Sequence, residues 1–209
     1  MLSSVFGKKI GMTQFFTQQG NVVPVTVIDI GNLFVTQVKT LEKDGYAALQ
    51  LGSPKKRYAN QPFTQAWCKN KKVYFSCLKE VSIKPEEIKK FKVGQEVGLK
   101  DFDIVQDNLV KITGKSKGLG FQGVVKRWGF SGGPDSHGSN FHRIPGAISG
   151  MTRQGEVIKG KKLPGHCGDR TFTIQRLRVV SLDKDGGHLL IKGAVPGKKN
   201  TLVMVSKQG

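Results

Sequence analysis

Short runs of apolar and β-branched residues recur along the first third of the chain, each after a turn signal that contains glycine. The runs are Asn21–Ile30 (NVVPVTVIDI), Leu33–Thr40 (LFVTQVKT) and Tyr46–Leu51 (YAALQL). Runs of this composition between turns predict strands. Pro24 has no backbone N–H to donate, so it predicts an edge or a bulge within the first strand. Strands repeated at intervals of roughly ten residues favour a barrel or a sandwich.

The same pattern returns in later parts of the chain. Further strands are predicted over residues 72–77, 93–97, 104–112, 171–182, 188–191 and 202–205. Lys84–Lys90 predicts a short helix with Pro85 near its start. Asp185–Gly187 predicts a hairpin turn.

The strand pattern stops between Thr113 and Gly168. These 56 residues hold 14 of the 27 glycines, and nine Lys or Arg residues against two acids, for a net charge of +7. Glycine raises the entropic cost of ordering a chain, and clustered positive charges repel each other. The segment is therefore interpreted as an insertion that projects from a β body and becomes ordered when a polyanion neutralises it.

Positive charge also extends over the rest of the chain. The 34 Lys and Arg residues exceed the 15 Asp and Glu residues, which gives a net charge of +19 and a pI near 10.0. Such an excess points first to nucleic acid and second to an anionic membrane. No apolar run approaches the roughly 18 residues of a membrane helix, so no membrane partner is expected. The three cysteines form no CxxC pair, which argues against a zinc ribbon and a disulfide framework.

A second basic stretch, Ser53–Lys72, contains six Lys or Arg residues, no acid, and the aromatic residues Tyr58, Phe63 and Trp67. Two interpretations remain open at this point. Either the stretch is a second contact with nucleic acid, or it is a solvated loop whose aromatic side chains pack onto the barrel.

Phe121–Phe130 (FQGVVKRWGF) predicts a short helix within the insertion. Val124, Val125 and Trp128 would share one face, and Lys126 and Arg127 would point away from it. Trp128 either stacks on a base or packs the root of the insertion against the barrel. The preceding glycines do not match a phosphate loop, because no glycine stands five residues before Gly114-Lys115-Ser116. Backbone N–H groups there, with Lys115 and Lys117, are instead expected to face phosphates.

Three of the four histidines, His137, His142 and His166, lie in the insertion, the last of them beside Cys167. Their spacing matches no standard zinc site, so no metal or other cofactor is expected, and the imidazoles are expected to bond phosphate or 2′-OH groups. Asp135 and Glu156 are the only local acids and provide no carboxylate pair for acid–base chemistry. No enzyme is predicted. A metal-dependent nucleic-acid enzyme that uses the three histidines, and a factor that binds RNA transiently, remain as alternatives.

Several motifs occur in order over nearly the whole chain. They are Phe6-Gly-Lys-Lys-Ile-Gly-Met-Thr, Val23-Pro-Val-Thr-Val-Ile, Lys115-Ser-Lys-Gly-Leu-Gly-Phe-Gln-Gly, Lys126-Arg-Trp, His137-Gly-Ser, His142-Arg-Ile-Pro-Gly, Lys159-Gly-Lys-Lys and Lys192-Gly-Ala-Val-Pro-Gly. Together they are highly specific, and with them the chain resembles the large ribosomal subunit protein L-three family, in its bacterial or organellar form.

The resemblance implies a mainly β fold: a closed β-barrel body, residues 1–112 and 169–209, a long Gly-rich basic extension, residues 113–168, inserted between strands, and a few short helices. It implies a structural constituent of the large ribosomal subunit, in the cytoplasmic ribosome of a bacterium or in an organellar ribosome. The extension would enter large-subunit rRNA, support early assembly and shape the surroundings of the peptidyl-transferase centre, where the RNA catalyses the reaction. The implied partners are large-subunit rRNA and neighbouring ribosomal proteins, with no small-molecule substrate.

The candidate site residues all lie in the extension. Those expected to bind rRNA are Lys115, Lys117, Lys126, Arg127, Trp128, His137, His142, Arg143, Arg153, Lys159, Lys161, Lys162 and His166. The tip near the peptidyl-transferase centre would comprise Ile148, Ser149, Gly150, Met151, Thr152, Arg153 and Gln154. Many bacterial members of the family carry at the position of Gly150 a glutamine that can be methylated; glycine has no side chain to accept that group.

Overall fold

The computed structural model describes residues 2–31, 33–59, 61–149 and 155–208 and is mainly β with a few short helices, as predicted. The strands are β1 (Ser4–Phe16), β2 (Val22–Asp29), β3 (Leu33–Lys39), β4 (Ala48–Pro54), β5 (Phe75–Ser82), β6 (Glu96–Val97), β7 (Leu109–Lys115), β8 (Gly120–Gln122), β9 (Gly165–Cys167), β10 (Thr171–Asp183), β11 (His188–Lys192) and β12 (Leu202–Lys207). The α-helices are α1 (Leu41–Asp44), α2 (Gln65–Lys69), α3 (Lys71–Tyr74) and α4 (Val124–Trp128), and 3-10 turns span Lys56–Tyr58, Pro85–Lys90 and Leu99–Asp101.

Six strands close on themselves in a ring, in the order β1-β12-β7-β10-β11-β2, with β2 hydrogen-bonded back to β1. Every pair in the ring is antiparallel. Val5, Ile28, Ile112, Val179 and Leu189 are fully buried in its core. This closed sheet corresponds to the predicted barrel.

A second, four-stranded sheet has the order β5-β4-β3-β6. The runs Leu33–Thr40 and Tyr46–Leu51, which were expected to belong to the barrel, form β3 and β4 of this separate sheet. The expectation was wrong on this point, because strand composition does not reveal which distant strand is the partner. Apolar residues of the second sheet share one buried cluster with those of the ring, so the two sheets have a continuous core.

The basic stretch Ser53–Lys72 contains helical turns that pack an aromatic cluster. Trp67 is 2% exposed and stacks on Tyr74 with ring centroids 5.4 Å apart, and Tyr58 and Phe63 also contact it. Phe34 of β3 and Phe75 of β5 complete the cluster. The aromatic side chains are thus packed against protein, as one of the two interpretations held, although on the second sheet and not on the ring. The cluster also places Lys71–Tyr74 in a helix, so the strand predicted from residue 72 begins only at Phe75.

The longest strand at the amino end, β1, was not predicted. Its sequence SVFGKKIGMTQFF contains two glycines, which usually weaken a strand. Gly7 is there because a β-carbon at that position would lie 2.5 Å from Asp29 O on the neighbouring strand. A bulge between Lys9 and Gly11 shifts the register against β2.

The chain forms two compact units, Met1–Lys115 with Thr171–Gly209, and Ser116–Arg170. They are called the body and the inserted unit below. Both sheets described above belong to the body.

Candidate nucleic-acid interface

The first and last residues of the inserted unit are hydrogen-bonded to each other. Ser116 N donates to Arg170 O over 2.9 Å, and Arg170 N donates to Ser116 Oγ over 3.3 Å. Leu119 N then donates to Cys167 O, and β8 pairs with β9 from Gly120 to Gln122. The outgoing and returning limbs of the unit are therefore joined by backbone hydrogen bonds at its root.

Gly168 is required by this joint. Its φ is +81°, a left-handed conformation that glycine adopts at little cost. A β-carbon at Gly168 would also collide with Lys117 O. The high glycine content of the segment thus has a local steric reason here, in addition to the conformational freedom inferred from the sequence.

The helix α4 fastens the two limbs a second time. It forms as predicted and ends at Gly129, which adopts a left-handed conformation with φ +75°. Val124 is 1% exposed and is the only buried apolar residue among the described residues of the inserted unit. Trp128 Nε1 donates to Leu163 O over 2.9 Å, and Arg127 Nη1 donates to the same oxygen over 2.6 Å.

Stacking of Trp128 on a base stays a prediction, since 43% of the residue is exposed; these contacts join its indole N–H to the returning limb of the inserted unit. They also correct the predicted orientation of Arg127, which does not point away from Trp128. Its guanidinium lies over the Trp128 ring at 5.0 Å, and Lys162 Nζ lies 5.9 Å from the same ring. The indole is consequently flanked by two cations, in the geometry of a cation–π contact.

The loop after α4 is held by a glycine pair and a histidine. Gly133 N donates to His142 O over 2.7 Å, and a β-carbon on Gly132 would strike that same oxygen. His142 Nδ1 lies 3.2 Å from Asp135 Oδ1, an ion pair only when the imidazole is protonated. His142 therefore orders the loop through both its backbone and its ring.

Most of the described cations of the inserted unit are exposed, and those on the predicted list have no acidic partner within its described residues. Within residues 116–149 and 155–170, no salt bridge joins a Lys or Arg side chain on the predicted list to a carboxylate. Those that are exposed are Lys117, Lys126, Arg143, Lys159, Lys161 and Lys162. Amines and guanidinium groups left in solvent in this way are available to phosphate oxygens.

Known proteins resemble this chain over its whole length. A family model described as Ribosomal protein L3 matches residues 88–188. The large ribosomal subunit protein uL3 of Syntrophus aciditrophicus is 43% identical, with 99% of this chain and 94% of the relative covered. The proteins of the same name from Syntrophotalea carbinolica and Oceanobacillus iheyensis are each 45% identical, with 99% of this chain covered and 98% and 97% of the relatives.

The chain belongs to the ribosomal protein L3 family. As a member of the L3 family it is a structural constituent of the large ribosomal subunit and not an enzyme. The metal-dependent enzyme considered as an alternative does not agree with this membership.

In this L3-family chain, the three histidines of the inserted unit do not lie close together. His137 lies in a turn with φ +56°, His142 contacts Asp135, and His166 lies in β9. Over the described ranges, no three His, Cys, Asp or Glu side chains come together as a metal site would need. No described helix is long and apolar enough to span a membrane.

Not all of the predicted site residues lie in the described part of the inserted unit. Lys115 is the last residue of β7 and belongs to the body. Of the predicted tip, Ile148 and Ser149 are exposed, whereas residues 150–154, Arg153 included, lie outside the described residues.

Sequence reasoning missed Phe121. It is 76% exposed in β8 and pairs across the ladder with the exposed His166 of β9. An exposed aromatic ring beside an imidazole is a surface on which bases stack. The signal in the sequence was a lone aromatic residue between glycines, which was assigned to the predicted helix instead.

Proposed function

We propose that the chain binds large-subunit rRNA directly, with the inserted unit as the main contact. The observation that carries the proposal is the set of exposed cations without acidic partners, on a unit whose described residues include one buried apolar side chain. A unit of this kind has little core of its own, and phosphates supply the charge that its surface lacks. Membership of the L3 family supports the same partner.

Two kinds of contact are proposed within this surface. Lys115, Lys117, Lys126, Arg143, Arg153, Lys159, Lys161 and Lys162 neutralise phosphates, and His137 and His166 bond phosphate or 2′-OH groups. Arg127, Trp128 and His142 hold the shape of the unit, because their polar atoms already bond Leu163 O and Asp135. Phe121 adds a stacking surface.

We further propose that this binding supports early assembly of the subunit, and that the tip, Ile148–Gln154, shapes the surroundings of the peptidyl-transferase centre without taking part in the chemistry. Neighbouring large-subunit proteins complete the set of partners. The relatives described above come from bacteria, which favours the cytoplasmic ribosome of a bacterium over an organellar one.

The salt dependence of binding tests the phosphate contacts. Replacement of Lys159, Lys161 and Lys162 by alanine should lower the slope of log K against log salt by about 2–3, since each neutralised phosphate contributes roughly 0.7–0.9. The matched control replaces Lys84, Lys89 and Lys90, three exposed lysines of the body, and should change the slope much less. Equal changes in both variants would contradict the assignment of the contact to the inserted unit.

A deletion tests the tip separately. Shortening Ile148–Gln154 should leave incorporation into the large subunit largely intact and impair translation by the resulting ribosomes. The readouts are sedimentation of the tagged chain with salt-washed subunits and the rate of peptide synthesis. Loss of incorporation would show that the tip is needed for docking.

A further inference from the structure

The longest stretch of the chain without a charged side chain is Ile10–Ile28, which has 19 residues and no Asp, Glu, Lys, Arg or His. It forms most of the hairpin of β1 and β2. In a chain of net charge +19 this gap is exceptional. A surface adapted to phosphates carries cations, so this hairpin is not built for the rRNA backbone.

The outer part of this hairpin extends beyond the ring. The pairing of β1 with β12 ends at Lys8, although Lys9 still bonds Thr201 and Asn200 through its backbone. The pairing of β2 with β11 ends at Val25. From there to the turn, each strand has only the other as a hydrogen-bonded neighbour among the described strands.

The hydrogen-bonding pattern shows which backbone groups face outward. Thr17 N donates to Asn21 O at the turn, and bonded and non-bonded pairs alternate along an antiparallel ladder. The pairs Phe16–Val22 and Gln14–Pro24 are therefore non-bonded pairs, with backbone N–H and C=O groups directed away from the ribbon. Pro24 O indeed accepts from Gly193 N, on the side away from β1.

The two edges of the hairpin are unequal. On β2, Pro24 removes one outward donor, which is a common way of blunting an edge. On β1, the outward groups of Met12, Gln14 and Phe16 belong to a stretch without proline or charged side chains, although Asp107, Arg178 and Lys192 line a cavity together with Phe15 and Phe16. An open, uncharged strand edge of this kind templates the pairing of another strand.

The exposed face of the hairpin is also apolar, apart from Gln14 between Met12 and Phe16. Phe16 is 67% exposed, Met12 53% and Val22 52%, and Phe16 and Val22 are cross-strand partners. The open edge and the apolar face thus lie on the same part of the hairpin. A strand added to the edge therefore also covers the exposed apolar side chains.

We propose that the outer half of β1, Gly11–Phe16, is a docking edge for an extended segment of a neighbouring protein in the large subunit. The segment adds a strand to β1 and packs apolar side chains on Phe16 and Met12. This proposal rests on the proposed function, because the partner is a component of the same particle.

The test places a photo-crosslinking residue at the edge, as Phe16→p-benzoylphenylalanine in the full chain, in tagged and salt-washed large subunits. The expected product joins the chain to a peptide of a different large-subunit protein, identified by mass spectrometry. A crosslink to rRNA, a crosslink to a second copy of this chain, or no crosslink in intact subunits overturns the proposal.

A matched pair of variants measures the contribution of the face. Val22→Lys should lower the yield of the protein crosslink about tenfold, the ratio that corresponds to about 1.4 kcal/mol. Val105→Lys makes the same change at a residue of the body that is 64% exposed and should leave the yield unchanged. Equal losses of crosslink yield in the two variants would show that the apolar face does not contribute to docking.

The two proposals fail in different ways. Absence of the tagged chain from salt-washed large subunits would contradict the proposed function, and the docking edge would fall with it. Incorporation of the chain together with an rRNA crosslink at Phe16 would contradict the docking edge alone.

Discussion

The body and the inserted unit differ in what holds them together. The body contains every described buried apolar residue except Val124, most of them in one cluster shared by both of its sheets and three in the aromatic cluster. The described part of the inserted unit buries Val124 alone and is joined by backbone hydrogen bonds and by side chains that bond one carbonyl, Leu163 O. The body is thus held together mainly by a buried core, and the described part of the inserted unit mainly by hydrogen bonds.

Some cations of the body are paired with acids. In the body, Lys39 lies 3.0 Å from Glu80, Lys100 2.9 Å from Asp185, and Lys207 2.7 Å from Asp103. In residues 116–149 and 155–170, no Lys or Arg on the predicted list has such an acidic partner. Other lysines of the body, such as Lys84, Lys89 and Lys90, are exposed as well, so the control variant of these three tests whether position as well as charge decides RNA binding.

The largest expected effect separates the two units by their stability. Ile112→Ala empties a fully buried position of the ring and should cost about 2–5 kcal/mol of unfolding free energy. Val124→Ala should leave the unfolding midpoint of the body nearly unchanged, because Val124 belongs to the other unit. Urea unfolding followed by far-UV circular dichroism measures both, and a comparable loss in the two variants would break the comparison.

The two tryptophans report on the units separately. Trp67 is 2% exposed in the aromatic cluster of the body, and Trp128 is 43% exposed in the inserted unit. In Trp128→Phe, the remaining emission should be blue-shifted and poorly quenched by iodide. In Trp67→Phe, the emission of the remaining Trp128 should be readily quenched by iodide, and binding of rRNA should reduce this quenching. Protection of Trp67 instead would place the RNA contact on the body.

Hydrogen exchange measures how readily the backbone amides of each unit open to solvent. Amides of the ring strands should exchange slowly, whereas those of Ser116–Arg170 should exchange quickly in the isolated chain, since few apolar contacts oppose their opening. Addition of the rRNA fragment should slow the second group and leave the first unchanged. Slow, uniform exchange across both units without RNA would show that the inserted unit is ordered by itself.

The smallest expected effect concerns pH. Hydrogen bonds from Lys39 and Tyr46 hold the pKa of Glu80 below its ordinary value. The ionised carboxylate therefore stabilises the folded body above about pH 4.3, the ordinary value for glutamate, and this contribution is lost as the pH falls through the lower, folded-state pKa. Glu80→Gln should flatten the decline of the urea midpoint between pH 5 and pH 3, by less than about 1 kcal/mol for a surface pair. An unchanged decline would mean that other carboxylates cause it.

Local pattern predicted the strands well where composition is unambiguous. β2, β10, β11 and β12 lie within two residues of their predicted bounds, and Pro24 lies where β2 has passed the end of β11. The helix α4 and the turn before β11 were also predicted. In each case the residues themselves carry the cause: β-branching, a missing N–H or a glycine.

Pairing over long distances could not be predicted in the same way. Nothing within Leu33–Thr40 reveals that its partners are β4 and β6 and not a strand of the ring. Arg127 was expected to point outward, but it is turned by the carbonyl of Leu163, 36 residues further along the chain. β1 was missed because the close approach of Asp29 that requires Gly7 is visible only in three dimensions.

The last ladder pair of β7 with β10 joins Lys115 to Thr171. The chain between them is therefore, in the topology of the body, the loop of a single hairpin, and a two-residue turn would serve the same two strands. Since the entropic cost of closing a loop grows only with the logarithm of its length, this loop is free to lengthen or shorten over evolution. Because the ring closes without the loop, the inserted unit can change in length and sequence without altering the strand order of the ring.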